Sequence, residues 1–246
     1  SQYFHLFYLF STQLTFDVNV GDKFIGSNGK WTNVSGVYPQ GVTDLYRVQF
    51  SDNSYVDVSS DHIWTVKHLR EKKNYDLRTI DLINDLTHES DNRSKWELPM
   101  IDCMYEQNTY KGCDLTIDPY LLGVWLGDGS SYRAEITTMD DEIKDSFLSV
   151  YDKGIRTHQN SGKAETIGLT NGLHVQLKDL NLIRNKHIPI KYLYSSREDR
   201  IALLQGLMDS DGYCGKSGDY SFCQKNKQLV KDFKYLISSL GGVYGV

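Results

Sequence analysis

Two short segments of the sequence end alike, each with an acid followed by a glycine. The first is LLGVWLGDG, from Leu121 to Gly129, and the second is LQGLMDSDG, from Leu204 to Gly212. Their last acids are Asp128 and Asp211. If these carboxylates meet, they repel, and both stay ionised only with a cation between them. Oxygen ligands suit Mg²⁺, which can activate a water and stabilise the leaving oxygen of a phosphodiester. The pair therefore predicts a magnesium-dependent hydrolytic site.

Small residues lie four positions apart in both segments, Gly123 with Gly127 and Gly206 with Ser210. This spacing lets two helix backbones approach closely. Helices that pack by these faces would bring their C-terminal ends, and so the two acids, together. The negative ends of two helix dipoles then add to the demand for a cation. The predicted metal site consists of Asp128, Asp211 and the residues that precede them, Gly127 and Ser210.

These two segments have two simpler interpretations. A single Asp-Gly after a helix is commonly only a C-terminal turn, but two matching copies favour a functional role. A calcium-binding EF-hand loop starting at Asp209 is excluded. Its sixth position is Cys214 where the loop needs Gly, and its twelfth is Tyr220 where it needs Glu.

The elements that must position the acids form an internal repeat. Hydrophobic periodicity and capping residues, including Asp118-Pro119 and Ser196, predict its helices. We expect a first repeat over 114–194 and an unfinished second repeat over 195–246, so that the chain is a fragment of a longer polypeptide. The predicted elements are helices at Tyr120–Gly127, Asp140–Tyr151, Leu173–Leu180, Arg197–Asp209 and Lys225–Leu240, with strands at Ser130–Thr138 and on both sides of 160–162.

The N-terminal part has a different pattern. Residues 18–66 alternate apolar and polar positions between Gly and Asn turns, which predicts an all-β module. A short helix at Thr79–Leu86 and a strand at Trp96–Met104 follow. We place the boundary of this domain, 1–113, near Cys113. The four cysteines are spaced too widely for a paired zinc motif, and we expect them to be small buried hydrophobes.

Composition limits the class of protein. With 39% apolar and 24% charged residues among 246, disorder and collagen-like repeats are excluded. The longest apolar run, Tyr3 to Phe10, is too short for a membrane span of about 20 residues and lacks signal-peptide features. We expect a cytoplasmic protein with no membrane partner. A net charge of -5 disfavours a protein that coats DNA nonspecifically, but allows basic side chains gathered on one face.

The two Asp-Gly segments resemble the two copies of the LAGLIDADG motif of homing endonucleases. The resemblance implies motif helices packed on each other, an eighth-position acid that binds the catalytic metal, and saddle-shaped sheets in the DNA major groove. Asp128 and Asp211 occupy the eighth positions. Leu126 departs from the motif at the sixth position, which is not a metal ligand. The implied fold is α+β: a pseudo-twofold αββαββα domain over 114–246 with an incomplete second repeat, monomeric with an internal pseudo-dimer.

Two lysines are further catalytic candidates. The segment Asn185-Lys186-His187-Ile188-Pro189 is similar to the Lys-x-Ile-Pro segment of intein-borne members. This similarity implies that Lys186 lies near the metal and its water as a base or charge stabiliser; a solvated surface lysine is the alternative. Lys225 precedes the last predicted helix, where family members often carry another basic residue, and is the second candidate.

The N-terminal module resembles the β-rich Hint fold of inteins. The stretch Ser59-Ser60-Asp61-His62 matches their Thr-x-x-His segment, with Ser59 in place of Thr. The resemblance implies that His62 assists the first acyl shift of protein splicing, and that a host protein flanks the chain. A histidine buried in a β-core is the alternative. No first-residue nucleophile or terminal His-Asn pair is recognisable, so this stretch alone is not expected to splice.

Polar positions on the predicted strands of the first repeat are candidate DNA contacts. They are Arg133, Arg156, His158 and Lys163, and Lys191, Arg197 and Lys225 are candidates for phosphate contacts whose affinity falls with salt. The sequence thus predicts a site-specific double-strand DNA endonuclease within an intein, using Mg²⁺. Two other functions stay open: an intein splicing element whose nuclease is an inactive insert, and a LAGLIDADG maturase that binds RNA.

Overall fold

The computed structural model describes residues 18–39, 41–50, 55–91, 93–99, 103–104, 115–151, 155–159, 164–169 and 172–245. They divide into two compact units. One comprises the described residues of Ser1–Met104 and Gly241–Val246, and the other those of Tyr105–Leu240. Four predicted features lie outside the described residues, namely the apolar run Tyr3–Phe10, the boundary near Cys113, the turn at 160–162 and the DNA-contact candidate Lys163.

The first unit consists of short antiparallel strands. The elements are β1 Lys23–Ile25, β2 Trp31–Asn33, β3 Leu45–Gln49, β4 Tyr55–Ser59, β5 Ile63–His68, β6 Asn74–Arg78, α1 Thr79–Leu82 and β7 Trp96–Glu97. The described strands form three sheets, in the orders β1-β2, β3-β4 and β6-β5-β7. Val58, Trp64 and Val66 make one core cluster, because alternate residues of β4 and β5 point inward.

Two predicted elements of this unit are shorter than expected. The helix ends at Leu82 instead of Leu86, because the following residues bond to another segment. Lys95 donates its backbone N–H to the Leu86 carbonyl at 2.9 Å and its ammonium to Asp85. The strand at Trp96 has only two residues.

The second unit alternates helices with short strands. Its elements are α2 Pro119–Asp128, β8 Glu135–Thr138, α3 Asp141–Val150, β9 Ile155–Gln159, β10 Glu165–Leu169, α4 Leu173–Asp179, α5 Ile190–Leu193, α6 Arg197–Asp211, β11 Gly212–Cys214, β12 Tyr220–Phe222 and α7 Lys227–Ser239.

Side-chain caps start the main helices where the sequence predicts them. Asp118 accepts a hydrogen bond from the Leu121 N–H at 3.1 Å, and Ser196 accepts one from the Asp199 N–H at 3.0 Å. Helix α6 runs two residues further than predicted, to Asp211. An acid is therefore the last residue of both α2 and α6.

The predicted strand Ser130–Thr138 is mostly a turn. Only β8 is regular, because the Ser131 carbonyl accepts from the Arg184 N–H at 2.7 Å and cannot join a ladder. The sheet order is β8-β10-β9, with Ile136 opposite Ile167 on its buried face. Among the residues that the structure describes, no helix has the length and apolar character needed to cross a membrane.

Candidate catalytic centre at the paired helix ends

Helices α2 and α6 pack at their glycines. A Cβ added to Gly206 would overlap the Tyr120 carbonyl and lie 2.9 Å from the Val124 nitrogen. One added to Gly123 would overlap the Leu203 carbonyl in the same way. The backbones are thus in direct contact, and the packing predicted from the spacing of the small residues is confirmed.

The two acids come together at the end of this helix pair. A Cβ at Gly127 would lie 3.5 Å from the carboxyl carbon of Asp211 and 2.8 Å from the Ser210 Cβ. Burial raises the pKa of Asp128, and the charge of Asp211 raises it further, while Lys186 lowers it. Burial also raises the pKa of Asp211, against an opposing effect of Lys186. Asp128 is exposed to solvent, and Asp211 is half-buried.

Lys186 lies against the end of α2. Its ammonium donates to the carbonyls of Gly127 at 3.0 Å and Gly129 at 2.7 Å, and it lies 5.1 Å from the centre of the Trp125 ring. Burial lowers the pKa of Lys186 to about 8, although both acids act to raise it. A lysine with this pKa is present in both protonation states near neutral pH, so it can stabilise a negative charge or accept a proton.

Sequence reasoning missed Gln224. Its side-chain amide donates to Asp211 at 2.6 Å, while its oxygen accepts from the Lys225 N–H at 2.8 Å. Lys225 itself has an exposed side chain. Its position in the sequence is the available signal, because Gln224 lies between a strand and a helix, next to Lys225.

The donor set at the helix ends fits a hard divalent cation. Two carboxylates with raised pKa values lie beside backbone carbonyls, and each carboxylate is more stable in its charged form when a cation is bound. In the described part of the chain, no three His, Cys, Asp or Glu side chains converge to hold a metal ion. A cation between Asp128 and Asp211 would therefore complete its shell with carbonyl, water or substrate oxygens. The carbonyls of Gly127 and Ser210 are the nearest candidates in sequence, and that of Gly127 already accepts from Lys186.

A polar surface lies on the β8-β10-β9 sheet of the same unit. Register places Arg156 and His158 on one face of the β8-β10-β9 sheet with Glu135 and Thr166. With Arg133 they line a cavity of about 420 Å³. Arg133 lies 3.6 Å from Glu135, which offsets part of its charge, while the Arg156 and His158 side chains are exposed. The face offers donors and positive charge to a ligand.

Two other basic candidates lie at the opposite ends of the helices. The Lys191 ammonium is 3.3 Å from the Thr116 hydroxyl, just before α2 begins. Arg197 is the first residue of α6, which at about 1.5 Å per residue places it roughly 20 Å from Asp211 along the helix axis. The structure does not bring either of them to the acids.

In the first unit, His62 follows the end of β4. Its backbone N–H donates to the Ser59 carbonyl at 3.3 Å. Its imidazole ring meets the Trp64 ring edge-on, with centroids 4.8 Å apart. Burial lowers the pKa of His62. Burial therefore favours the neutral imidazole over the imidazolium, which is the form that would donate a proton to an amide.

Comparison with families of known proteins finds no matching family model. Among curated proteins, the chain is similar to the replicative DNA helicase DnaB of Mycobacterium intracellulare, with 29% identity over 255 residues. This similarity covers 92% of the chain and 40% of that helicase. The chain therefore spans about two fifths of the length of the curated protein it matches.

Proposed function

We propose that this chain is part of an intein that carries a site-specific, divalent-metal-dependent DNA endonuclease of the LAGLIDADG type. The observation that carries the proposal is the contact of two glycine-faced helices, each of which ends in an acid, with a half-buried lysine bonded to the carbonyls at the end of α2. Paired acids can hold the divalent metal that such phosphodiester hydrolysis needs, and a nearby lysine can stabilise charge or move a proton.

In this proposal Asp128 and Asp211 would hold Mg²⁺, with carbonyl oxygens of Gly127 and Ser210 as further candidates. Such an ion would supply positive charge at the phosphate and lower the pKa of a water. Lys186 either stabilises the charge that develops on the phosphate or takes a proton from the attacking water. Gln224 orients the Asp211 carboxylate through its hydrogen bond.

The polar sheet face is the proposed DNA surface. Arg156, His158 and Arg133 can donate to base edges or phosphates, and the small residues Thr166 and Gly168 leave room between them. The predicted order of strands and helices supports a saddle over the major groove. The same geometry on an RNA duplex is less favourable, because the deep, narrow major groove of A-form RNA does not admit a sheet.

We also propose that the host is a replicative DNA helicase. The chain matches 40% of a helicase over nearly all of its own length, and an element inserted into a host is found as a contiguous part of a longer polypeptide. The Hint-like strands and His62 of the first unit would then belong to the splicing element.

The decisive experiment uses a plasmid that carries the uninterrupted helicase coding sequence, joined across the insertion point. The purified full-length intein is expected to cut it in Mg²⁺ and not in EDTA. Asp128→Asn is expected to abolish cutting while binding remains. Asp209→Asn is the matched control, since this exposed acid lies two residues before Asp211 and bonds to the Tyr120 hydroxyl.

The outcomes separate the competing functions. Equal cutting by Asp128→Asn would overturn the metal assignment. Failure of the unaltered protein to cut, together with intact splicing, would leave a splicing element with an inactive insert. Selective binding of the host transcript without cutting of DNA would favour a maturase.

A further inference from the structure

The backbone that carries Lys186 is held from the second repeat. Asn226, just before α7, donates its amide to the Lys186 carbonyl at 2.7 Å. Asp232, on α7, accepts from the Ile188 N–H at 2.9 Å. The two bonds bracket a single residue, His187, so this short stretch is fixed on both sides.

The side chains of Asn226 and Asp232, which together we call the clamp, are themselves held in place. The Asn226 oxygen accepts from the N–H groups of Gln228 and Leu229, which makes it the cap of α7. The second carboxylate oxygen of Asp232 accepts from the Gln228 amide at 2.7 Å, and Asp232 is 7% exposed. A buried carboxylate is costly unless its bonds are made, so its orientation toward Ile188 is strongly defined.

Lys186 spans the distance between this clamp and the acids. Its carbonyl is bonded to the cap of α7, while its ammonium is bonded to the carbonyls at the end of α2. A long flexible side chain gains little from two carbonyl contacts unless its backbone is placed correctly. The position of the ammonium therefore depends on α7, although the carbonyls that it contacts belong to the first repeat.

We infer that Asn226 and Asp232 are positioning residues that place the Lys186 ammonium at the paired acids. The inference rests on the proposed function for its catalytic consequence, but the clamp can be tested separately. Helix α7 thereby couples the second repeat to a lysine of the first.

The test uses variants that keep the helix cap. Asn226→Ser retains a good capping residue, but one hydroxyl cannot fill both positions that the amide oxygen and nitrogen hold. Asp140→Ser is the matched control: Asp140 caps α3, after β8, in the same place that Asn226 has after β12, and it accepts from the Glu142 N–H at 2.8 Å. Thermal unfolding of both variants verifies that the caps still work.

Two readouts are measured on the full-length protein. Acetylation of Lys186 by a soluble reagent is measured by mass spectrometry at alkaline pH, where the amine is largely deprotonated whether it is buried or exposed. It is expected to rise severalfold in Asn226→Ser and to stay unchanged in Asp140→Ser. The single-turnover cleavage rate is expected to fall about tenfold in Asn226→Ser, with DNA affinity unchanged, because small displacements of a catalytic group cost large factors in rate. In a Lys186→Met background, Asn226→Ser should cause no further loss.

Each result has a defined meaning. Unchanged acetylation overturns the clamp. Increased acetylation with an unchanged cleavage rate overturns its catalytic role, as does an equal loss of rate in Asp140→Ser. If the unaltered protein cuts no DNA at all, the proposed function fails, and acetylation alone decides whether Asn226 holds Lys186.

Discussion

The two repeats present the same helix ending in different surroundings. Asp128, in the first repeat, has an exposed edge and lies beside a lysine that bonds to the carbonyls of its own helix end. Asp211, in the second, accepts a hydrogen bond from Gln224. In the first repeat the position equivalent to Gln224, two residues before the helix cap, is Thr138. Similar backbones therefore hold two acids that are not chemically equivalent.

The residues at the sixth position of the two segments also differ in type and surroundings. Leu126 is fully buried, whereas Asp209 is exposed and bonds to the Tyr120 hydroxyl at 3.1 Å. The helix faces that meet need small residues in both repeats, but the other faces do not. The comparison indicates that packing fixes the shared part of the motif, and that partners outside the helices distinguish the two acids.

The largest expected effect comes from filling the helix contact. Gly206→Ala places a methyl group against the Tyr120 carbonyl and the Val124 nitrogen, which are backbone atoms that cannot move alone. We expect the free energy of unfolding to fall by about 3 kcal/mol, the upper range for overpacking. Urea unfolding followed by circular dichroism measures it.

Gly168→Ala is the control for that substitution. Its Cβ would lie 3.5 Å from the nearest atom, an ordinary contact, and its stability is expected to stay within about 1 kcal/mol of the unaltered protein. If Gly206→Ala proved equally mild, the helices would be free to separate and the acids would not be held together by packing.

The parts of the site that the sequence predicts are those that follow from local rules. The spacing of Gly123, Gly127, Gly206 and Ser210 predicts the helix contact because one face of a helix repeats every three to four residues. Caps such as Asp118 and Ser196 predict where helices begin. These features depend on residue type and distance along the chain alone.

The partners of the acids depend on tertiary geometry and could not be predicted. Gln224 donates a hydrogen bond to Asp211 from beyond the end of a strand. Asn226 donates one to the carbonyl of Lys186, which lies 40 residues earlier in the chain. The turn at 131–134 was predicted as a strand. The local sequence does not reveal that the Ser131 carbonyl accepts a hydrogen bond from the Arg184 N–H. The αββαββα arrangement over 114–246 stays a prediction.

The second prediction tests whether the acids differ in function. Gln224→Ala removes the donor to Asp211 and is expected to lower the cleavage rate about tenfold, the equivalent of one hydrogen bond to a charged group. Thr138→Ala, at the equivalent position of the first repeat, is expected to leave the rate unchanged. Single-turnover kinetics on the uninterrupted site measure both. Equal losses would mean that the repeats are functionally symmetric.

The third prediction compares the contributions to DNA binding of a basic residue on the sheet and one at the start of a helix. Arg156→Gln, on the exposed sheet face, is expected to weaken DNA binding a few-fold and to reduce the slope of log affinity against log salt by about 1. Arg197→Gln, at the start of α6, is expected to have a smaller effect. Fluorescence anisotropy over a salt series distinguishes them, and a larger effect at Arg197 would place the DNA on the other end of the helix pair.

The smallest expected effect concerns stability in the absence of metal. Burial and the charge of Asp211 raise the pKa of Asp128, so the ionised carboxylate destabilises the fold at neutral pH. Asp128→Asn should therefore raise the melting temperature in EDTA, by only about 1–3 °C because solvent screens this exposed side chain. The folded protein binds more protons than the unfolded chain between the ordinary pKa and the raised one. The gain should therefore be complete above the raised pKa and disappear as the pH falls through it. Mg²⁺ should stabilise the unaltered protein and not the variant; a lower melting temperature for Asp128→Asn in EDTA at pH 7 would show that the two acids do not repel.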